Sequence, residues 1–541
     1  MMRSVGYSSY SPSLGLMATA ATLLVVVRKV LLSKRDQADA VSIPRGTEDP
    51  NDTNSSSNDD DDYYDVIVVG AGPAGSTASY YLGHAGENLK ILLLERKTFP
   101  RVKYCGDAWC HQALDILDDM EYHEDNKTKS VLQHLEDEQL CRPVQRGGFV
   151  SPRGYECINT EGASYGSVAK VKTYAMKRVI VDEIMARAAA QQPGVTLREN
   201  SNVIVSEVSF SSDTKCWQVP TTTNTNSKET KTKVYKGRVL VAADGATSYL
   251  ARQLGLVATD ADAVCSHRYV VGHTHNFTAD GVMFFNRAVL PGYSALFKHS
   301  NDDVYLGTYI LPGGKATSRC IAGFEQDLVN RHPYVQGALL GGSNSYESTQ
   351  WRTDLSQGEN GKLKVAPIRC GGEAQTYGDH LVVIGDAAGQ TDPMTGEGIH
   401  TAMVAAKLAA QTIVEMFAAH NFSSTASQVY QQRWKNAFGD DFHLSAIGAR
   451  LITKFPIVLD AACAYGQASG QAFLDEFGLI MTGVKPKSDF LQVKLAVPIT
   501  FYLLREIVLQ YILRQPPLVP QDIGTALVEK YCHSNNNKQS E

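Results

Sequence analysis

The sequence lacks the features that mark several common classes of protein. Its ten cysteines show neither zinc-type pairing nor a dense disulfide framework, which favours free thiols in a reducing compartment. The net charge is -6 and no basic stripe stands out, so we expect no nucleic-acid partner. No ligand spacing predicts a metal site. The 541 residues, 43% of them hydrophobic, are still enough for one large or two modest domains.

One apolar run near the N-terminus stands apart from the rest of the chain. Residues 14–27 read LGLMATAATLLVVV and are followed by Arg28 and Lys29. Basic residues on this flank predict that the main domain stays on the cytosolic side of a membrane. We expect residues 1–35 to be a membrane anchor or targeting segment, with the catalytic domain cytosolic at the endoplasmic reticulum or, alternatively, in a plastid. Residues 36–62 are polar and acidic, which predicts a disordered linker.

A glycine-rich turn follows the first strong strand pattern, YDVIVVG. Gly70 allows a tight turn, Gly72 lets a pyrophosphate approach the backbone, and Gly75 permits close packing of helix and strand. A second apolar run ends at Glu95, placed to bind a ribose hydroxyl. The unit therefore predicts a dinucleotide bound at a helix N-terminus. The predicted binding turn consists of Gly70, Ala71, Gly72, Pro73, Ala74 and Gly75.

Two later segments bear on which dinucleotide is bound. They are GRVLVAADGATSYLARQLGL, residues 237–256, and DHLVVIGDAAGQTDPMTGEGIHTAMVAAKLAAQTI, residues 379–413. Asp386 could accept a hydrogen bond from a ribityl or ribose hydroxyl, or simply cap a turn. A helix that begins after Gly398, near Ile399, would direct its N–H groups at the pyrimidine edge of a flavin.

These blocks, in this order, resemble the glutathione-reductase-2 class of flavoproteins, which includes aromatic hydroxylases, halogenases and geranylgeranyl reductases. The resemblance covers roughly residues 65–417. It implies an FAD cofactor and an α/β fold, with a Rossmann-type FAD-binding domain, an inserted antiparallel-sheet substrate domain and a helical C-terminal cap. It also implies that Arg178, four residues before Asp182, lies near the FAD diphosphate. A surface helix with a basic start is the alternative for that segment.

The segment FPRVKYCGDAW is similar to the geranylgeranyl reductase signature, in which Lys-x-Cys-Gly-Gly follows the second strand. Lys103, Cys105 and Gly106 match that signature, and Asp107 replaces its second glycine. The resemblance places Cys105 and Gly106 beside the flavin. Cys105 and Cys110 also have the C-x4-C spacing of a redox disulfide, but the residues that flank such a disulfide are absent.

A second reductase feature is a Gly-Tyr-x-Trp-x-Phe-Pro strand that lines the substrate cavity. The segment PGYSALFK keeps its tyrosine, Tyr293, and its phenylalanine, Phe297. Ala295 stands where the tryptophan would be and Lys298 where the proline would be. The resemblance makes Tyr293 and Cys105 the catalytic candidates for proton delivery or positioning. A cavity-wall aromatic and a small buried hydrophobe are the ordinary alternatives.

The implied activity is hydride transfer from reduced FAD to an isolated double bond of a geranylgeranyl-type prenyl chain. The substrate would be a lipophilic isoprenoid, membrane association is expected, and NADPH or another reductant would supply electrons, with a redox partner protein as one source. A flavin monooxygenase that hydroxylates or epoxidises a hydrophobic substrate is the alternative, because the tryptophan strand is altered.

The expected domain layout follows from these assignments. Residues 63–422 form the FAD-binding domain, with the substrate-binding sheet inserted at about 127–172 and 265–345, and residues 423–541 form a helical C-terminal region. Within that region, residues 489–520 are strongly apolar, yet Pro498 and several charges interrupt them. They predict a helical cap packed on the core or lying on a membrane surface, rather than a span.

Overall fold

A computed structural model describes residues 62–85, 88–159, 173–224, 230–340, 346, 349–352 and 363–536. The predicted anchor, and all of the predicted linker except its last residue, lie outside these ranges. The strands are β1 (Tyr63–Val69), β2 (Ile91–Leu94), β3 (Ala108–Trp109), β4 (Glu121–Glu124), β5 (Lys127–Ser130), β6 (Arg142–Pro143), β7 (Gly147–Val150), β8 (Glu156–Ile158), β9 (Tyr174–Ala175), β10 (Val195–Arg198), β11 (Asn202–Val203), β12 (Ser209–Ser211), β13 (Cys216–Asn224), β14 (Thr230–Ala242), β15 (Ala263–Val270), β16 (Gly281–Phe284), β17 (Tyr293–Lys298), β18 (Val304–Ile310), β19 (Trp351–Arg352), β20 (Lys364–Ile368), β21 (Tyr377–Gly378) and β22 (Leu381–Val383).

The α-helices are α1 (Pro73–His84), α2 (His111–Asp119), α3 (Val131–Asp137), α4 (Arg178–Ala190), α5 (Tyr249–Gln253), α6 (Ile321–Arg331), α7 (Pro333–Leu339), α8 (Ile399–Ala418), α9 (Ser424–Trp434), α10 (Asp440–Lys454), α11 (Ile457–Ser469), α12 (Gln471–Met481), α13 (Val493–Ile507) and α14 (Thr525–Asn536). A π-helical turn, Val508–Ile512, continues α13, so that Val493–Ile512 is one continuous helix.

The first sheet carries the parallel core that the glycine motif predicts. β1 lies between β2 and β14 and is parallel to both; β10 pairs with β2, and β22 with β14, also in parallel. Val66, Ile67 and Val68 of β1 are fully buried, as expected for a central parallel strand covered on both faces. α1 begins at Pro73, whose fixed φ suits the first helical position. The predicted Rossmann-type unit is therefore confirmed.

The second sheet runs in the order β19-β15-β18-β17-β16-β7-β8, with β20 also paired to β15. Its pairs are antiparallel except β16 with β7, which is parallel. A two-residue hairpin turn can join only antiparallel strands, but β7 and β16 come from distant parts of the chain and are therefore free to pair in parallel. The sheet also differs from the expected boundaries, because β19 and β20 join it beyond residue 345. Residues 121–130 instead form a separate hairpin.

The C-terminal part of the described chain is helical from α9 to α14. By length and composition alone, two described helices could cross a membrane, α8 and Val493–Ile512. A third would count if the bent pair Ser424–Lys454 and Ile457–Ser469 formed one span. Of the most apolar 18 residues of each helix, 56% are buried within the protein in α8 but only 11% in Val493–Ile512. The interior therefore covers α8 and leaves most of the second helix uncovered.

Candidate flavin and substrate site

One cavity brings together most of the predicted site residues. It opens at the carboxyl ends of the parallel strands β1, β2, β14 and β22, where ligands bind in open α/β sheets. The predicted residues that line it are Gly70, Gly72, Pro73, Ala74, Glu95, Cys105, Gly106, Arg178, Tyr293, Asp386, Gly398 and Ile399. Ala71 and Gly75 belong to the same turn but lie behind the cavity wall, where Ala71 is fully buried.

The glycine turn has the open shape that a pyrophosphate needs. Gly70 has a φ of +108°, and a Cβ there would lie 2.3 Å from the carbonyl oxygen of Ala243. A Cβ on Gly75 would lie 1.8 Å from the Gly70 carbonyl oxygen, so only glycine allows this approach of α1 to β1. Nothing comes nearer to a Cβ on Gly72 than the Arg101 guanidinium, at 3.8 Å. The space before the α1 N-terminus therefore fits the diphosphate of FAD.

Arg101 fixes the acidic residue at the end of β2. Its Nε lies 3.0 Å from Glu95 Oε2, its Nη1 lies 3.0 Å from Asp182 Oδ2, and its Nη2 donates to the Ala71 carbonyl at 3.1 Å. Glu95 Oε1 accepts from the backbone N–H of Lys97 at 3.0 Å. Glu95 therefore lines the cavity in a fixed position. The sequence analysis missed Arg101, because its closeness to both acids arises only in the folded chain.

Arg178 is buried and paired within α4. Its Nε donates to Asp182 Oδ1 at 2.5 Å and its Nη2 donates to Oδ2 at 2.9 Å. Burial disfavours the charged Asp182, but Arg178 and Arg101 together bring its pKa below the usual range. The Cys105 thiol faces the same guanidinium; burial raises the pKa of Cys105, and Arg178 opposes that rise. Cys105 is therefore a protonated thiol beside a fixed cation.

The replaced glycine of the Lys-x-Cys-Gly segment is accommodated without loss of the turn. Asp107 has a φ of +58°, the left-handed region that glycine favours and that aspartate tolerates better than most residues. Its buried carboxylate accepts hydrogen bonds from the Tyr269 hydroxyl and, at 3.4 Å, from the Arg178 backbone N–H. A Cβ on Gly106 would lie 1.7 Å from Tyr309 Oη. The loop therefore requires glycine at position 106, whereas at position 107 hydrogen bonds hold the aspartate in place of a glycine.

The loop before α8 completes the cofactor side of the cavity. Asp386 Oδ1 accepts from Thr391 Oγ1 at 3.3 Å. A Cβ on Gly398 would lie 2.5 Å from the same hydroxyl oxygen, so the loop packs against itself at this glycine. α8 begins at Ile399, as predicted, and its first turn opens into the cavity. The positive end of the α8 dipole therefore faces the space where a flavin ring would lie.

The other side of the cavity is mainly apolar and aromatic. Tyr293 stacks on Tyr309 with ring centroids 4.7 Å apart, and its hydroxyl donates to the Thr395 carbonyl at 2.5 Å. Burial raises the pKa of Tyr293 well above its usual value. The apolar and aromatic side chains that line this half are Cys265, Met283, Tyr293, Phe297, Tyr309 and Ile368. This half has the character of a binding site for a hydrophobic substrate.

Ala295 and Lys298 do not line the cavity. Ala295 is fully buried and pairs with Gly307 of the neighbouring strand. The Tyr305 phenol crosses this pair, because a Cβ on Gly307 would lie 1.7 Å from Tyr305 Oη. The small residue therefore stands next to a tyrosine that already fills the adjacent space, which gives the alanine a packing reason.

A cluster on the cavity wall, with two buried residues and the half-buried Glu397, was not predicted from the sequence. Cys110, Glu397 and His400 place their sulfur, oxygen and nitrogen atoms within 4.8 Å of one another. Burial raises the pKa of Glu397 to about 7, although the Lys487 ammonium and the Cys110 thiol act in the opposite direction. Such a cluster could bind a metal ion or hold a proton. Its only sequence signal was the Glu-x-x-His spacing after Gly396, which is weak on its own.

Comparison with known proteins places this site in a family. The protein-family model described as "FAD binding domain" matches residues 63–282 of the sequence. Conditioned medium factor receptor 1 of Dictyostelium discoideum is 39% identical over 433 residues, which are 79% of this chain and 78% of that protein. The chain belongs to the FAD-dependent oxidoreductases. Its family includes that Dictyostelium protein, and the predicted FAD cofactor agrees with this membership.

More distant relatives carry enzyme names. Digeranylgeranylglycerophospholipid reductase 1 of Methanopyrus kandleri is 25% identical over 406 residues, which are 73% of this chain and 92% of that protein. A solved geranylgeranyl bacteriochlorophyll reductase-like structure from Thermoplasma acidophilum has a TM-score of 0.54 at 19% identity, covering 83% of this chain and 97% of that one. The structural likeness supports the Rossmann-type flavoprotein fold.

Proposed function

We propose that this oxidoreductase reduces isolated double bonds of a geranylgeranyl-type prenyl chain carried on a lipophilic isoprenoid. The observation that carries the proposal is a single cavity whose cofactor side continues into an aromatic, apolar half beside a half-buried acid, Glu397. The Lys103-x-Cys105-Gly106 segment and the 25% identical Methanopyrus reductase support the same chemistry.

When bound, reduced FAD supplies a hydride to one carbon of the alkene. A side chain of the protein must then supply a proton to the other carbon. Glu397 is the group best matched to that task, because an acid with a pKa near the working pH is the most effective donor. Tyr293 and Cys105 hold their protons more tightly, since burial raises both pKa values. We assign them to positioning the alkene and the cofactor.

Each turnover would add one hydride and one proton to the alkene, and bound FAD would then be in its oxidised form. NADPH or another reductant, including a redox partner protein, would have to reduce it again. We further propose that residues 1–35 anchor the enzyme in a membrane, with the catalytic domain on the cytosolic side of the endoplasmic reticulum, or in a plastid. A membrane location suits a substrate that partitions into lipid.

The test uses full-length protein whose flavin is reduced without oxygen and then mixed with geranylgeranyl diphosphate. The product mass is read from anaerobic and aerated samples. A gain of two hydrogens per turnover, independent of oxygen, is the expected result. A gain of one oxygen atom in air, with no anaerobic product, would instead make the chain a monooxygenase.

A second candidate follows from the name of the 39% identical relative, a receptor for conditioned medium factor. A receptor role predicts that the protein still binds flavin but neither reduces nor oxygenates the prenyl substrates tested. The same experiment separates the two roles, provided that geranylgeranyl lipids with larger head groups are tested beside the diphosphate.

A further inference from the structure

The continuous helix Val493–Ile512 presents large apolar side chains to solvent. Val493 is 77% exposed, Phe501 66% and Ile512 67%. From Val493 to Tyr511 the exposed residues recur every three or four positions, so they form one stripe along the helix. The stripe consists of Val493, Val497, Phe501, Leu504, Val508, Tyr511 and Ile512, and Leu513 and Leu518 extend it. Contiguous apolar surface of this kind marks an interaction site.

The opposite face of the helix holds the stripe in its outward orientation. Leu495 is buried, and the fully buried Glu506 carboxylate accepts from Tyr155 Oη at 3.1 Å and from Gln510 Nε2 at 3.2 Å. Arg505 pairs with the same carboxylate at 3.0 Å. Turning the stripe inward would break the bond from Tyr155, which joins the helix to the body, and would expose Leu495. The helix is therefore a fixed part of the body, with one face covered and the other uncovered.

Charge favours lipid as the occupant of the uncovered face. Residues 490–521 contain three cations, Lys494, Arg505 and Arg514, and one acid, the buried Glu506. Arg505 pairs with Glu506, and Lys494 shares Glu476 with Lys485. The surplus positive charge beside the stripe therefore comes from Arg514 and from one of these two lysines, and anionic headgroups complement it. An apolar stripe with aromatic residues and flanking cations is the pattern of a helix that lies in the membrane interface.

We propose that the stripe of Val493–Ile512 lies flat on an anionic bilayer surface as a second membrane contact, separate from the N-terminal segment. The helix does not span the bilayer, because its inner face is bonded to the protein body. The inner face shares one hydrophobic cluster with Tyr293 and Tyr309 of the cavity wall, which places the apolar half of the cavity on the membrane side. The proposal does not depend on which reaction occurs there.

The experiment introduces tryptophan into the full-length protein as Phe501→Trp or Val508→Trp. Each variant is bound to vesicles of phosphatidylglycerol and phosphatidylcholine, with or without brominated acyl chains, which quench tryptophan on contact. Val234→Trp is the matched control, because Val234 and Val508 are each 42% exposed but lie on different parts of the surface. Flavin absorbance verifies folding. Of the native tryptophans, Trp109, Trp217 and Trp434 are buried and contribute little quenching.

The expected result is quenching at positions 501 and 508 that exceeds the control by at least twofold and weakens as salt is raised. Absence of quenching at both positions, while the protein still sediments with vesicles, would overturn the proposal. Emission that is already blue-shifted without lipid and stays unquenched would show that residues 14–27 cover the stripe. Emission that shifts with protein concentration but does not change when vesicles are added would show that a second copy of the protein covers the stripe. Either of these two results also overturns it.

Discussion

Burial sets the protonation state of Glu397, and we expect that state to control the rate of reduction. The protonated carboxyl is the form that donates, so the rate should fall as pH rises through about 7. Glu397→Gln should lower the rate by about 10²- to 10⁴-fold and abolish this pH dependence. Single-turnover reduction of a prenyl substrate, followed across pH, measures both effects.

Glu415→Gln is the matched control, because Glu415 lies outside the cavity lining. Its carboxylate pairs with Arg433 at a distance of 2.8 Å. It should leave the rate and the pH profile unchanged. If Glu397→Gln retained the wild-type pH profile, another group would be the proton donor, and Tyr293 and Cys105 would be the next to substitute.

The second prediction at this scale concerns Gly106. A Cβ there would lie 1.7 Å from Tyr309 Oη, so Gly106→Ala should push the phenol out of the cavity wall. Overpacking of this kind costs about 1–3 kcal/mol of unfolding free energy, and FAD should be retained less well. Denaturant unfolding and the flavin-to-protein absorbance ratio measure the two losses.

The double variant Gly106→Ala with Tyr309→Phe provides the control, since it removes the clashing oxygen. It should recover part of the lost stability; the ring carbon Cζ, 3.0 Å from the added Cβ, prevents full recovery. A double variant no more stable than Gly106→Ala would mean that the backbone, not the tyrosine, causes the loss.

At the scale of elements, Arg153 ties the outward helix to the second sheet. Its guanidinium donates to the carbonyls of Gln515 at 2.8 Å and Pro516 at 3.1 Å, just beyond the end of the helix. Arg153 is only 7% exposed, so Arg153→Ala would leave both carbonyls without this donor. A hydrogen bond to a charged group contributes about 1.5–3 kcal/mol, and we expect a loss in that range.

Hydrogen exchange should localise this effect, with faster exchange in Val493–Ile512 and little change in β1. Arg514→Ala is the comparison, because Arg514 is exposed on the same segment. Equal effects of the two substitutions would mean that charge, rather than the bonds to the carbonyls, stabilises this part of the chain.

Local sequence patterns predicted the elements whose contacts are local. The β1–α1–β2 unit and the start of α8 at Ile399 follow from strand periodicity and glycine spacing within single segments. The pairing of β7 with β16 joins residues 147–150 to 281–284, and no turn chemistry reports it. The same holds at the site. The clamp of Arg101 on Glu95 and the approach of Cys110 to Glu397 join residues far apart in the chain, so only folding reveals them.

At the scale of the whole molecule, the cofactor cavity joins segments from across the fold. Its lining extends from Val69 to Ala402 and includes ends of the parallel strands, the second sheet and α8. A ligand that fills it binds only the folded chain, so it raises the free energy of unfolding by mass action. At a concentration one hundred times its dissociation constant, FAD should add about 2.7 kcal/mol.

The same argument distinguishes FAD from FMN, which lacks the adenosine half. The open space before Gly72 fits a diphosphate and the fixed Glu95 is placed to bind a ribose hydroxyl, whereas FMN has neither a second phosphate nor an adenosine ribose. We therefore expect FAD, added to flavin-stripped full-length protein, to raise the thermal midpoint by several degrees more than equimolar FMN. Glu95→Ala should narrow this difference in thermal midpoint, because it weakens the binding of FAD but not that of FMN. Equal stabilisation by the two flavins would mean that the adenosine half contributes nothing, and that the glycine turn serves the fold rather than the cofactor.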